Sequence, residues 1–220
     1  MPQDMFLKRK QDNLSKQDKS SKSCWDKKIS NLCEKINSLR NYYTTSSCSG
    51  RIVLMIDQNK KAEGLFIKVY HDLITFNQLK RELNNMIKLY SQAQDIDRNQ
   101  LTKRNKELIN FRKIQVNNNL KKSIKFKQEP CIIHIACKTL KDAEQILKKA
   151  QFAGWKRSGI ISSGKRFVVE SISTERLEFP IVEKGKILVS DDFLRIIVKK
   201  SNENLKKSWG KIEKLGNLVK

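Results

Sequence analysis

The sequence CIIHIAC at residues 131–137 is a short, almost wholly apolar run, which predicts a buried β-strand. Thr139 follows it as a helix N-cap, apolar residues then recur at the helical period up to Ala150, and Gly154 ends the helix. The next apolar run, from Trp155 to Ile161, predicts another strand. This passage is the one strand–helix–strand unit that we predict for the chain.

The other predicted strands come in hairpins. Two β-rich runs at 51–56 and 64–70 are joined by a polar connection, and two more at 166–172 and 176–182 are separated by a short polar turn. Residues 186–189 are a candidate edge strand. We therefore expect an α+β fold with a mixed, largely antiparallel sheet and flanking helices. No G-x-G-x-x-G motif follows a first strand, which argues against a Rossmann nucleotide site.

Three further helices are predicted. Apolar residues lie on one helical face between Asp26 and Arg40, Thr75 with Gln78 forms a capping box that opens a second helix, and Ser190 caps a last helix. The segment 42–50, rich in Ser and Thr, is predicted to be a turn-rich loop. These elements give one domain over residues 1–220, with a polar helical insertion at about 77–125.

The charge of the chain is strongly basic. Its 220 residues include 46 Lys and Arg against 23 Asp and Glu, a formal net charge of +23. Such a charge favours a polyanionic partner such as nucleic acid, because phosphate contacts release condensed counterions. The alternative is the drift of an AT-rich genome toward Lys and Asn. Drift does not explain why residues 108–128 carry no acid but six basic residues: Arg112, Lys113, Lys121, Lys122, Lys125 and Lys127.

Several classes of protein are disfavoured. The longest unbroken apolar run has five residues, from Ile52 to Ile56, and no signal-peptide pattern opens the chain, so we expect neither a membrane span nor secretion. The five cysteines form no C-x-x-C pair. Reduced thiols in a cytoplasmic protein, with no metal site, are the preferred interpretation.

The most unusual local sequence is YTTSSCSGR at 43–51. Hydroxyls and backbone amides that converge in such a loop can hold a carboxylate or a phosphate, and Gly50 permits a close approach. Arg51 adds a planar group that grips either anion at two points. The alternative interpretation is an ordinary solvated turn.

Two histidines and one cysteine are further candidates. His71 and His134 are the only histidines, and an imidazole can act as a general base near neutral pH, although a histidine satisfied by the backbone is the alternative for each. Cys48 is either a nucleophile or a small packing residue, and we favour packing.

Matching blocks in the same order make the chain resemble the tRNA wybutosine-synthesising protein 3 family. The block SSCSGR at 46–51 is the signature of that family. The resemblance covers most of the chain apart from roughly residues 77–122, and is carried by the segments 18–26, 43–52, 69–72, 126–135, 150–160 and 178–180 and by Asn202.

The resemblance implies an S-adenosylmethionine-dependent methyltransferase that methylates N4 of 7-(3-amino-3-carboxypropyl)-4-demethylwyosine beside the anticodon of tRNA(Phe), on a fold unlike the Rossmann methyltransferases. A non-enzymatic RNA-binding protein is the rival interpretation, and a hydrolase that uses Cys48 is a third.

The resemblance also gives the candidate residues their roles. Hydroxyls and a guanidinium would bind the carboxylate of the cofactor or the amino-acid tail of the substrate: Ser46, Ser47, Ser49 and Arg51, with Gly50 beside them at the cofactor. Three side chains are candidates for catalytic proton handling or hydrogen bonds to the base: Asp26, His71 and His134. Basic side chains would contact RNA phosphates and aromatic side chains would stack on the base: Lys10, Lys19, Lys22, Trp25, Tyr43, Trp155, Lys121, Lys122, Lys125 and Lys127.

Overall fold

The computed structural model describes residues 4–16, 26–57, 65–96, 123–164 and 166–219. Their five helices are α1 (Met5–Leu14), α2 (Lys27–Ser38), α3 (Phe76–Ile96), α4 (Leu140–Phe152) and α5 (Asp191–Leu218). Their nine strands are β1 (Tyr42–Cys48), β2 (Arg51–Ile56), β3 (Phe66–Tyr70), β4 (Ile124–Glu129), β5 (Ile132–Cys137), β6 (Arg157–Ser162), β7 (Phe167–Ile172), β8 (Leu177–Glu183) and β9 (Lys186–Ile187). The predicted α+β fold is confirmed, with the strands divided between two antiparallel sheets.

The chain falls into two compact units. The first comprises Met1–Arg51, Glu129–Glu175 and Asn204–Lys220, and its sheet has the order β1-β5-β7-β6. The second comprises Ile52–Gln128 and Arg176–Glu203, and its sheet has the order β3-β2-β4-β8-β9. A single domain with an insertion stays a prediction, because residues 97–122 lie outside the described part of the chain.

The core of the first unit lies on one face of its sheet. Ile133 and Ile135 of β5 are fully buried there against apolar residues of α2, α4 and the last turns of α5. Trp155 is also fully buried, and its indole N–H donates to the carbonyl of Lys211 at 3.2 Å. Burying one such large side chain stabilises a fold by about 1.5–3 kcal/mol. This apolar layer holds β5 in place as a central strand.

Two helices of the first unit begin at capping side chains, of which the sequence predicted the Thr139 cap. The Asp26 carboxylate accepts a hydrogen bond from the amide of Lys28 at 3.2 Å and begins α2. Thr139 and Asp142 form a reciprocal capping box at the start of α4. Gly154 follows α4 with φ +96°, a conformation that favours glycine.

The predicted loop at 42–50 is wrong, because most of it forms a strand. Residues Tyr42–Cys48 pair antiparallel with β5, with a register shift between Thr44 and Ser46. Ser and Thr favour turns locally, but β5 supplies a complete edge of backbone donors and acceptors. Pairing with that edge outweighs the local preference of the segment.

Helix α1 was not predicted from the sequence. Asp4 caps it by accepting from the amide of Phe6 at 3.1 Å. The Phe6 ring packs on Tyr43 with ring centroids 5.3 Å apart, and both form a small buried cluster with Ala136. Because Ala136 alternates with the core residues of β5, α1 covers one end of the outer face of this sheet.

The second unit contains two predicted features. The hairpin of β2 and β3 is antiparallel, and the capping box of α3 has the amide of Thr75 donating to Gln78 Oε1 at 2.8 Å. The predicted basic tail of the insertion ends in strand β4, where the ring of Phe126 stacks on Phe179 of β8 at 5.3 Å. None of the described helices has the length and apolarity that crossing a membrane needs.

Candidate active site

Three polar side chains form a row across adjacent strands of the first unit. Ser46 of β1 faces His134 of β5, which faces Glu170 of β7, as the strand registers require. Ser46 Oγ lies 2.6 Å from Nδ1 of His134, and Nε2 of the same ring lies 2.7 Å from Oε2 of Glu170. We call these three residues the polar row.

The polar row lies on the open part of the outer sheet face. Ser46 is exposed, and the side chains of His134 and Glu170 are 22% and 31% exposed to solvent. Gly159 of β6 pairs with Glu170, and no described atom lies within 4 Å of the position that a Cβ would take at Gly159. In the described part of the chain, the Glu170 end of the row is therefore uncovered on the side of β6.

The hydrogen-bonding roles in the row follow from the chemistry of its groups. An ionised Glu170 can only accept, so Nε2 of His134 keeps a proton and donates a hydrogen bond to the carboxylate. In a neutral imidazole Nδ1 is then the acceptor, and the Ser46 hydroxyl donates to it. In this arrangement the Ser46 hydroxyl can pass its proton to Nδ1 of His134.

The other serines of the signature block do not converge with Ser46. Ser47 accepts a hydrogen bond from Cys33 Sγ of α2 at 3.4 Å, because neighbouring strand residues face opposite sides. Ser49 is fully buried, and its hydroxyl and its amide both donate to Asp26 Oδ2, the amide at 3.1 Å. The prediction of a convergent hydroxyl loop is therefore wrong.

Gly50 and Arg51 form a separate feature at the end of β1. Gly50 has φ +98°, and a Cβ there would lie 3.1 Å from the Glu129 carbonyl oxygen and 3.1 Å from Cδ2 of Leu205. Arg51 Nε donates to Glu129 Oε2 at 2.5 Å, with 29% and 23% of the two side chains exposed. An accessible guanidinium and an accessible carboxylate thus stand side by side.

Asp26 and His71 are placed differently from His134. The Asp26 carboxylate is engaged with the amide of Lys28 and with Ser49, so it holds the start of α2 to the end of β1. His71 follows β3 in the second unit and is half-buried. Both ring nitrogens of His134 are hydrogen-bonded, Nδ1 to Ser46 and Nε2 to Glu170.

The aromatic predictions need correction. Tyr43 and Trp155 were expected to stack on a base, but both are fully buried. Tyr43 packs on Phe6 and accepts a hydrogen bond from Arg166 at 2.8 Å, while Trp155 is part of the core. A base cannot reach either ring in this fold. Trp25 lies outside the described residues.

The predicted RNA-binding lysines also differ in their surroundings. Lys10 donates to the Leu39 carbonyl at 2.6 Å, and burial lowers its pKa. Lys125 is bonded to Asp57 at 2.8 Å and lies 3.5 Å from Glu178, and its contact with RNA stays a prediction. Lys127 lies opposite Glu178 in the register of β4 and β8. The other predicted lysines lie outside the described residues: Lys19, Lys22, Lys121 and Lys122.

A basic cleft opens at the other end of β1 from Arg51. Its volume is about 620 Å³, within the usual range of ligand pockets. Among the described residues, its lining has three cationic side chains and no acid: Arg40, Lys138 and Lys149, with Asn41, Tyr42 and Gln145 as polar neighbours. Lys138 is bonded to Asp4 at 2.6 Å. Burial raises the pKa of Tyr42 to about 12, so its hydroxyl stays protonated and donates to the Asp142 carbonyl.

The environments of the four described cysteines favour a packing role over a catalytic one. Burial raises the pKa of Cys33 to about 11 and that of Cys131 and Cys137 to about 12, and it also raises the pKa of Cys48. A thiol held in its neutral form is a weak nucleophile. This agrees with the packing interpretation of Cys48.

Sequence reasoning missed Glu170 and the lining of the cleft. Glu170 had one available signal, since it is the only acid in the apolar run FVVESI at 167–172. The cleft residues had none, because Arg40, Lys138 and Lys149 come from three separate segments.

Comparisons with known proteins agree on one similarity. The family model described as Methyltransferase TYW3 matches residues 5–220. A tRNA(Phe) 7-((3-amino-3-carboxypropyl)-4-demethylwyosine(37)-N(4))-methyltransferase of Thermococcus sibiricus is 32% identical over 221 residues, covering 96% of this chain and 95% of that protein. A tRNA wybutosine-synthesizing protein 3 homolog of Xenopus laevis is 27% identical over 218 residues, which cover 96% of this chain and 72% of that protein. The solved PH1069 protein from Pyrococcus horikoshii superposes with a TM-score of 0.73 at 26% identity, covering 98% of this chain and 96% of that one.

Proposed function

This chain belongs to the TYW3 family of methyltransferases, and we propose that it methylates N4 of 7-(3-amino-3-carboxypropyl)-4-demethylwyosine in tRNA(Phe), with S-adenosylmethionine as the methyl donor. The observation that carries the proposal is the family match over residues 5–220. Relatives named for this reaction, 30% to 34% identical, support it. The resemblance of the sequence to the same family leads to the same function.

The chain has groups that fit the amino-acid part of the donor. That part carries a carboxylate and an ammonium group on one carbon. Arg51 and Glu129 offer a guanidinium and a carboxylate side by side at an accessible position, which is the matching pair of charges. We therefore assign donor binding to Arg51 and Glu129, with Gly50 shaping the backbone beside them. When bound, S-adenosylmethionine supplies a methyl group on a positively charged sulfur atom.

The basic cleft fits phosphate better than it fits the donor. Its described lining holds three cationic side chains and no acid, and since Lys138 is bonded to Asp4, Arg40 and Lys149 carry its positive charge; a positively charged sulfonium gains nothing from these surroundings. Arg and Lys side chains that line a concave surface bind the phosphate groups of RNA favourably. We propose that Arg40 and Lys149 hold a backbone phosphate of the tRNA while the modified base reaches the polar row.

The decisive experiment is mass analysis of the nucleosides of tRNA(Phe) after incubation with the protein and S-adenosylmethionine. The tRNA must carry the unmethylated base with its aminocarboxypropyl group. We expect a gain of one methyl group on that nucleoside. If the protein binds tRNA but forms no methylated nucleoside and does not bind S-adenosylmethionine in the absence of RNA, it is a non-enzymatic RNA-binding protein.

Salt dependence separates the two ligands. The affinity for tRNA should fall steeply as salt rises, because several phosphates exchange condensed counterions for Lys and Arg. The affinity for S-adenosylmethionine should change little, since the donor carries no phosphate. Filter binding for the tRNA and calorimetry for the donor across one salt series measure both. Parallel slopes would contradict the proposal.

A further inference from the structure

We propose that Ser46, His134 and Glu170 form a proton relay that takes the proton from N4 of the base during methyl transfer. The proposal rests on the proposed function and extends it in two ways. It moves Ser46 from the donor site to the substrate site, and it adds Glu170, which sequence reasoning did not select.

The first argument is the continuity of the row. Two short hydrogen bonds, 2.6 Å and 2.7 Å between heavy atoms, connect Ser46 Oγ through the His134 ring to the Glu170 carboxylate. The three residues lie on three neighbouring strands, so their spacing is fixed by the sheet rather than by a loop. Groups held on rigid strands keep the orientation that a proton transfer needs.

The second argument is exposure. Ser46 is the exposed end of the row, whereas His134 and Glu170 are partly covered. A ligand that approaches from solvent meets the Ser46 hydroxyl, with the imidazole and the carboxylate beside it on the next two strands. The other two serines of the signature block do not offer this contact, since Ser47 is bonded to Cys33 and Ser49 is buried against Asp26.

The third argument is room for a flat base. Gly159 stands next to Glu170 in the register of β6 and β7, and the space above it holds no described atom within 4 Å of a Cβ position. Ser46 on β1 and Gly159 on β6 lie on opposite edge strands, so the tricyclic base would lie across the row, with its ring nitrogen at Ser46 and its far end directed toward Gly159. Any larger side chain at position 159 would occupy part of this space.

The chemistry of the relay balances. N4 of the base gains the methyl group and loses a proton, while the donor sulfur keeps the electron pair of the broken S–CH₃ bond. Ser46 Oγ accepts the N4 proton as its own proton passes to Nδ1 of His134. The imidazolium that forms is stabilised by Glu170, to which Nε2–H already donates.

The test is single-turnover methyl transfer with the full chain, methyl-labelled S-adenosylmethionine and tRNA(Phe) carrying the unmethylated base. We expect His134→Gly to lower the rate of transfer by about 10²–10⁴-fold, a range typical of general acid–base groups. Glu170→Gln keeps the size of the side chain but removes the charge, and should lower the rate at least about tenfold. Neither substitution should weaken donor binding.

Two further measurements separate the relay from a merely structural role. Added imidazole should restore part of the rate of His134→Gly, because the free base can enter the space that the substitution leaves. Gly159→Leu should raise the KM for tRNA while the rate at saturation changes less. If His134→Gly does not fold, His134→Gln takes its place as the variant without a base.

Matched controls are available on the same unit. Ser162→Ala removes another exposed serine of the sheet, and Glu144→Gln removes an exposed carboxylate of α4. Both should keep the wild-type rate.

The outcomes separate the relay from the proposed function. If the wild-type chain transfers the methyl group and folded Ser46→Ala, His134→Gly and Glu170→Gln variants keep its rate, the relay is wrong and the function stands. If the wild-type chain transfers no methyl group to this base, the proposed function fails and the relay fails with it.

Discussion

The imidazole Nε2 of His134 lies 2.7 Å from the carboxylate of Glu170, although 36 residues separate the two in the sequence. The contact follows from the antiparallel register of β5 and β7, which sets these residues directly opposite each other. A shift of the register by one residue would turn the His134 side chain into the core. The packing of Ile133 and Ile135 therefore also fixes the position of the histidine.

Arg51→Lys should weaken donor binding. A lysine replaces the planar guanidinium by a single charged nitrogen, which cannot contact Glu129 and a carboxylate ligand with the same geometry. We expect a loss of about 1–3 kcal/mol in the binding free energy of S-adenosylmethionine. Isothermal titration calorimetry in the absence of RNA measures it. An unchanged affinity in a folded variant would remove Arg51 from the donor site.

Gly50→Ala should destabilise the fold. The backbone there has φ +98°, and the new Cβ would press on the Glu129 carbonyl oxygen and on Leu205 at 3.1 Å each. We expect the free energy of unfolding to fall by about 1–3 kcal/mol. Urea denaturation followed by circular dichroism measures it.

The matched control for Gly50 is Gly210→Ala. Gly210 lies in α5 with open space around its Cβ position, so alanine should stabilise the helix by about 0.5–1 kcal/mol. Equal effects of the two substitutions would contradict the role of the positive φ at Gly50.

Arg40→Gln together with Lys149→Gln should weaken tRNA binding. Both side chains line the basic cleft, and removing two cations should reduce the slope of log affinity against log salt by up to about 2. The KM for tRNA should rise while donor affinity stays constant. Filter binding at several salt concentrations tests this. Lys186→Gln, an exposed lysine of β9, is the control, and an equal effect there would show that the cleft has no special role.

Glu175→Gln should change how stability depends on pH. Burial alone would raise the pKa of Glu175, but hydrogen bonds from Lys211 Nζ and Ser173 Oγ outweigh it and hold the pKa below its usual 4.5. A carboxyl whose pKa is lowered on folding stabilises the fold above pH 4.5, and this contribution is lost as the pH falls through the folded-state pKa. The wild type should therefore exceed Glu175→Gln in unfolding free energy at pH 7, and the difference should shrink on acidification. A constant difference between pH 7 and pH 3 would contradict this assignment.

The sequence by itself determined most of the secondary structure and the family. Helices with a clear apolar face, such as the one that begins after Asp26, and the helix capped by Thr139 were predicted because their signals are local. The apolar runs of β5 and β7 were predicted for the same reason. The signature block at 46–51 identified the family by resemblance, and the family match over residues 5–220 confirmed it.

Only the tertiary structure decided how the polar groups are grouped. Tyr42–Cys48 became a strand because β5 offers it an edge, and the alternation of a strand then sent Ser46 to His134 and Ser47 to Cys33. Glu170 reached the same row through a strand register that no local pattern encodes. Tyr43 and Trp155 cannot stack on a base, as the sequence had suggested, because both side chains are buried in the fold. A strand partner and the depth of a side chain depend on distant segments, so composition and spacing cannot fix them.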